Sequence, residues 1–236
     1  MAPLSNDDLL AVWDRGHARN PVERAVLLLS AGYPGTSLPA LAELGVGERD
    51  ARLLRLRELT FGSHLSALAD CSRCGEHLEL EVEAEQLRFS SQRDPVLSIH
   101  TDGCYVEFRL PNSADLTAVV SGSEVDAVRR KLLDRCVTNP KAGTGLPETV
   151  IEAVAAAMAQ ADPQGDVRLG LDCPACGARE EQIFDIASFF WSEVHAWALR
   201  ALREVHQLAA AYGWSEADIL AMSPWRRQVY LELLGR

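Results

Sequence analysis

The sequence predicts an α+β fold, mostly helical, with a small antiparallel zinc-ribbon-like β module formed by two distant C-x-x-C knuckles. Three observations point there. Apolar residues recur at helical steps of three and four through much of the first third and the last quarter. At Leu78, Leu80 and Val82 the period changes, and these residues alternate with Glu79, Glu81 and Glu83 as in a strand with one wet face. Two C-x-x-C pairs, Cys71–Cys74 and Cys173–Cys176, each lie between segments of strand character and are each followed by glycine, Gly75 and Gly177.

Each element has its own warrant. Asn20, Pro21 and Glu23 form the start signal of a helix that runs through Leu29 and stops at Gly32-Tyr33-Pro34-Gly35. A second helix, Glu48 to Thr60, gathers Leu53, Leu56 and Leu59 on one face. Asp102-Gly103, between Val96–His100 and Tyr105–Leu110, predicts a hairpin turn. Helices are expected over Ser113–Val120, Glu124–Val137 and Pro147–Gln160, separated by Ser-Gly-Ser and by the stretch 139–145. A short strand, Val167–Leu171, enters the second knuckle. A helix of about 40 Å then covers Asp185–Tyr212, with Gly213 as its stop. Ser223-Pro224 opens a last helix.

Composition narrows the function. The chain has 236 residues, 47% of them hydrophobic, which is enough for a core. Lys+Arg number 23 and Asp+Glu 34, a net charge of −11 that disfavours nucleic acid and anionic membranes as partners. The longest apolar runs, Ala25–Leu29 and Val154–Ala159, fall far short of the ~20 residues of a membrane span. Asp7 and Asp8 stand where a signal peptide would be basic, so a soluble cytoplasmic protein is expected.

The cysteine pairs carry the chemistry. Two thiolates two residues apart grip a metal ion from a tight turn, and two such knuckles supply the four tetrahedral ligands of a structural zinc. The expected site is one Zn²⁺ held by Cys71, Cys74, Cys173 and Cys176. Because 98 residues separate the pairs, residues 75–172 must form an inserted subdomain. Two other readings stand beside it: a redox C-x-x-C, which should open a helix rather than a strand, and buried cysteines without a ligand or paired thiols. Cys104 and Cys136 read as small buried hydrophobes. His77, three residues past Cys74, is a candidate substitute or supporting ligand. The sequence holds no nucleophile elbow, P-loop, dinucleotide fingerprint or H-E-x-x-H, so no enzyme is expected.

Aromatic residues concentrate late. Phe189-Phe190-Trp191 points in three successive directions, so either protein surrounds that helix or part of it docks onto a partner. Phe190, Trp191, Trp225, Arg226 and Arg227 are the candidate partner contacts, since Trp and Arg dominate interface hot spots. Core packing is the alternative for Phe190 and Trp191, and an exposed arginine pair beside a core tryptophan is the alternative for Trp225, Arg226 and Arg227.

Leu59-Thr60-Phe61-Gly62, the two Cys-x-x-Cys-Gly knuckles, the aromatic helix and the ending Asp218-Ile219-Leu220-Ala221-Met222-Ser223-Pro224-Trp225-Arg226-Arg227-Gln228-Val229-Tyr230-Leu231 together resemble the T4-type bacteriophage baseplate protein family. The resemblance covers most of the chain from about residue 55, with no matching motif over 90–165. It implies a non-enzymatic structural or assembly protein of a contractile tail or contractile injection system, whose partners are other baseplate or tail components. The alternative is a zinc-ribbon module binding nucleic acid or transcription machinery. Glu76, Glu79, Glu81, Glu83, Glu85, Glu180 and Glu181 beside the knuckles oppose a phosphate partner. The expected organisation is a helical region 1–62, the zinc-ribbon-like module 63–186 with its insertion 75–172, and C-terminal helices 187–236.

Overall fold

The computed structural model describes residues 1–90, 94, 96–119, 124–139 and 145–235. The expected linker 121–123 and residues 140–144 of the expected linker 139–145 lie outside the described residues, as does the expected helix end at 120. The chain is α+β. Four helices come first: α1 Asn6–Gly16, α2 Pro21–Gly32, α3 Leu38–Ala42 and α4 Val46–Phe61. The hairpin β1 His64–Asp70 and β2 His77–Glu83 follows, then β3 Leu97–Thr101 with β4 Cys104–Phe108. Three helices complete the insertion: α5 Ser113–Val119, α6 Val125–Cys136 and α7 Glu148–Ala161. The second knuckle hairpin is β5 Arg168–Asp172 and β6 Arg179–Ile183, and the chain ends with α8 Ile186–Tyr212, α9 Glu216–Leu220 and α10 Pro224–Leu234.

Local chemistry fixes these boundaries. Asn20 and Glu23 exchange the two hydrogen bonds of a capping box at the start of α2, and Ser5 with Asp8 does the same for α1. Asp102 (φ 49°) and Gly103 (φ 72°) take the left-handed conformations of a two-residue hairpin turn. Gly213, at φ 69°, closes α8 in the left-handed conformation that glycine adopts without strain.

Packing, rather than chain order, defines the cores. The largest gathers Leu9 and Val12 of α1, Ala25–Leu29 of α2, Leu53, Leu54 and Leu56 of α4, and Phe190, Trp191 and Val194 of α8. A second core lies inside the insertion, where Val106 and Phe108 meet Leu133, Val150, Ile151 and Val154. A third joins Ala201, Val205 and Leu208 of α8 to Ile219 and Leu220 of α9. Helix α8 therefore runs from one core into another. The expected boundary at 187 cuts through the first of them, so regions 1–62 and 187–236 are not separate units of packing.

Arg57 fastens α8 to α4. Its guanidinium, 3% exposed, forms a two-pronged pair with Glu193 at 2.8 and 2.6 Å and donates to the Gly62 carbonyl at 2.7 Å. The insertion docks on the start of α4 through a Gly45–Asn112 bridge and the Val46 N–H to Pro111 carbonyl bond of 3.0 Å. Among the described residues no helix is long and apolar enough to cross a membrane.

Candidate metal centre

Each knuckle is the tip of a two-stranded antiparallel hairpin, and the two tips are built alike. In the first, the Cys71 N–H donates to the Glu76 carbonyl and the Gly75 N–H to the Cys71 carbonyl, both at 2.9 Å. In the second, Cys173 and Ala178, then Gly177 and Cys173, repeat both bonds at 2.9 Å. Gly75 (φ 74°) and Gly177 (φ 68°) take the same left-handed turn after the second cysteine.

The two tips bring four sulfurs together. Cys71 Sγ lies 3.7 Å from Cys176 Sγ, and Cys74 Sγ lies 3.6 Å from Cys173 Sγ. All four sulfurs lie within 4.8 Å of one another, close enough to hold a metal ion. Four thiolates about 2.3 Å from a common tetrahedral centre would stand about 3.8 Å apart. The observed pairs fit that arrangement. Each short contact joins the first cysteine of one knuckle to the second of the other, so the pairing is two-fold in pattern. The 98-residue separation in the chain is closed by the insertion, which returns β5 beside the first hairpin.

Around the sulfurs, Leu78 and Leu171 are buried and Ala69, Leu80 and Ala178 pack against them. Cys71 and Cys173 are buried at 2% and 4%, while Cys74 is exposed. The N–H of Cys176, aimed at the Cys173 sulfur and joined by that of Ala175, pulls the Cys173 thiol down to about 7. At Cys74 the Glu76 backbone favours the thiolate, but hydrogen bonding with the other three sulfurs, helped by partial loss of water around them, pushes its thiol up to about 12.

Further contacts hold the tips in place. Glu180 accepts from the Ser72 N–H at 3.1 Å and from its hydroxyl, and Gln182 Nε2 donates to the Asp70 carbonyl at 3.2 Å. Both link one hairpin to the other. At the mouth of each knuckle an acid faces a base across the strands: Asp70 with His77 at 2.5 Å, and Asp172 with Arg179 at 2.9 Å. His77 is thus engaged with Asp70, outside the four-sulfur cluster. The signal for these pairs stands in the sequence as a repeated Asp-Cys-x-x-Cys-Gly-x-base, which a search for metal ligands alone passes over.

Cys136 is fully buried, and burial, reinforced by Asp115, pushes its thiol up to about 11. Cys104 packs against the insertion core. Cys136 matches the expected small buried hydrophobe, whereas Cys104 is only half-buried.

The candidate partner contacts divide. Phe190 is fully buried and meets Phe61 edge-on, with ring centres 5.9 Å apart. Trp191, 9% exposed, lies over Gly16, where an added Cβ would stand 2.4 Å from its ring, and carries Arg24 at 4.5 Å on its face. Arg227, 3% exposed, donates to Glu204 and to the Met222 carbonyl, both at 2.8 Å, and so ties α10 to α8. These three are corrected to interior residues: α1, α2 and α4 cover the face of α8 that carries Phe190 and Trp191, while Ser188, Ser192 and Ala196 on the same helix stay exposed, and Arg227 is buried between α10 and α8. Phe189, the third aromatic of the run, packs on Phe184 and beneath Arg57. Trp225 is 77% exposed and Arg226 is exposed, so both remain on the surface. No family model matches the chain, and no curated protein or solved structure matches it either.

Proposed function

We propose that this chain is a non-enzymatic structural or assembly protein of a contractile phage-tail-like baseplate, with one structural zinc held by Cys71, Cys74, Cys173 and Cys176. Zinc is the ion that four thiolates at tetrahedral spacing favour, and four cysteines leave it no open position for catalysis. Bound there, it supplies a crosslink. The cysteines and their turns fix the direction in which β6 leaves the knuckle, and β6 feeds α8 within three residues. A docking element fixed in advance loses less freedom when it binds.

The observation that carries the baseplate reading is the combination of the two knuckles with the ending 218–231 that resembles the family. Within that ending Trp225, fully formed at the first turn of α10, is offered to solvent while its neighbour Arg227 is used internally. A partner would bury Trp225 and pair with Arg226.

The test is Trp225→Ala and Arg226→Ala, each measured by thermal melting and by co-purification with the baseplate, tube and sheath proteins of the same system. Both variants should melt within a degree or two of the parent and capture at least one component several-fold less well. Undiminished capture of every component by both would remove this segment as the docking surface, and failure of the parent chain to capture any would remove the baseplate reading.

A further inference from the structure

A cavity of about 470 Å³ lies where three parts of the chain meet: α2 with α4, the insertion, and the junction of β6 with α8. Its apolar lining includes Val22, Leu116, Met158, Ile183 and Phe184. Ile183 is 69% exposed, a large apolar side chain left at the mouth. The ionisable lining consists of four carboxylates, Asp50, Asp162, Asp166 and Asp185, against one guanidinium, Arg49.

The deepest of these groups form a built floor. Arg49 and Asp50, 6% and 8% exposed, join at 2.7 and 3.1 Å, and Arg49 reaches the Ser113 hydroxyl at 3.2 Å. Asp162 is 7% exposed; its Oδ2 accepts from the Gly47 N–H at 2.8 Å, and its Oδ1 has no hydrogen-bond partner among the described residues. Burial pushes the Asp50 carboxyl up, Arg49 opposes that, and the nearby Asp185 and Asp162 carboxylates add to it. Toward the mouth, Asp185 caps α8, and Arg168 meets Asp166 from outside the lining at 3.0 Å. The cleft thus holds surplus negative charge within apolar walls, the usual form of a site for a ligand with both characters.

We infer that this cleft binds a short segment of a partner protein that is both basic and apolar. One Arg or Lys side chain enters toward Asp50, Asp162 and Asp185, and a neighbouring apolar side chain packs on Ile183 and Met158. An anion is opposed by four carboxylates, of which Asp50 pairs with Arg49 and Asp166 with Arg168, leaving Asp162 and Asp185 without a guanidinium among the described residues. A bare metal ion would leave the apolar wall unused, and among the described residues the cysteines are the one group of donors close enough together to hold an ion. A purely apolar ligand would strip water from the carboxylates without replacing it. A guanidinium or ammonium on an aliphatic stem meets both demands. None of the lining belongs to α9 or α10, so the inference stands apart from the docking role given to Trp225.

The probe is a fluorescent, N-acetylated Leu-Arg-Leu-Lys-Leu amide, titrated into the full-length protein at low salt beside its counterpart with both basic residues replaced by Glu. Ala159, exposed on α7 and lining the cleft, is changed to Trp to fill it, and Ile183→Ser removes the apolar mouth. The basic peptide should bind saturably, at least tenfold tighter than the acidic one. Ala159→Trp should cost at least tenfold, Ile183→Ser several-fold, each with parental melting. Spermidine, a cation without apolar side chains, should not displace the peptide. Equal binding of the two peptides, parental affinity in both variants, or displacement by spermidine would overturn the inference. Should Ala159→Trp melt early, Ile183→Ser alone decides.

Discussion

Asp162 caps helix α4 from 115 residues away: its Oδ2 accepts the Gly47 N–H at 2.8 Å. Helix α4 has no side-chain cap of its own, because its N-cap is Gly45. A carboxylate borrowed from the end of α7 therefore satisfies one orphan donor and complements the positive end of the helix dipole. The other oxygen, Oδ1, occupies the space a side chain at residue 47 would need, since an added Cβ would lie 1.8 Å from it.

Gly47→Ala should accordingly be far more damaging than Gly45→Ala. The first must expel a buried carboxylate from its hydrogen bond, a loss of about 1–3 kcal/mol. At Gly45 the nearest atom to a new Cβ is 4.0 Å away, on Leu110. Urea unfolding of both variants checks this. A Gly47→Ala protein as stable as the parent would mean that the cap contributes nothing.

A second carboxylate should be visible in the pH dependence. Asp115, 1% exposed, is held by Arg109 at 2.5 and 2.9 Å, by Arg135 at 2.9 Å and by the Asn112 N–H at 3.1 Å. Burial is the largest single influence and raises its carboxyl, but Arg109, Asn112 and Arg135 together outweigh it and hold the group below the usual range. A carboxyl lowered on folding stabilises above its unfolded value, near 3.9, and that contribution disappears as pH falls through the folded value. Asp115→Asn should therefore be destabilised at pH 7, with the gap to the parent closing as the pH drops below about 4. Chemical unfolding from pH 7 to pH 3 reads this, and a gap that widens in acid would contradict it.

Much of the architecture was legible where local chemistry acts alone. Asn20 with Glu23, Asp102-Gly103, Gly213 and Ser223-Pro224 each announced a boundary that the structure bears out. Ser5 with Asp8 carried the same signal for α1, but charged residues interrupt the apolar period there. Helices α3 and α9, five residues each, are too short to show a period at all. The four clustered sulfurs followed from spacing and glycines. Their pairing across hairpins did not, nor did the Ser72–Glu180 link, because contacts 99 to 108 residues apart leave no local trace. Periodicity also says which way Phe190 and Trp191 point, but not that α1, α2 and α4 wait there. That is why the spacing left partner docking open for them.

The six cysteines should separate into two classes. Cys104→Ala and Cys136→Ala remove small packed side chains and should cost about 1–2 kcal/mol. Alanine at Cys71, Cys74, Cys173 or Cys176 should unfold the knuckle hairpins or the whole chain, since structural zinc is worth roughly 10–16 kcal/mol in finger peptides at pH 7. Circular dichroism melting of all six variants makes the comparison. Equal small losses across the set would mean that the four clustered cysteines hold nothing.

The most direct measurement is the metal content of reduced, folded protein purified without added zinc. A shared four-thiolate site predicts one equivalent of zinc per chain, lost together with the folded hairpins when a strong chelator is added. Two equivalents, or none in protein that is folded and fully reduced, would contradict the shared zinc site.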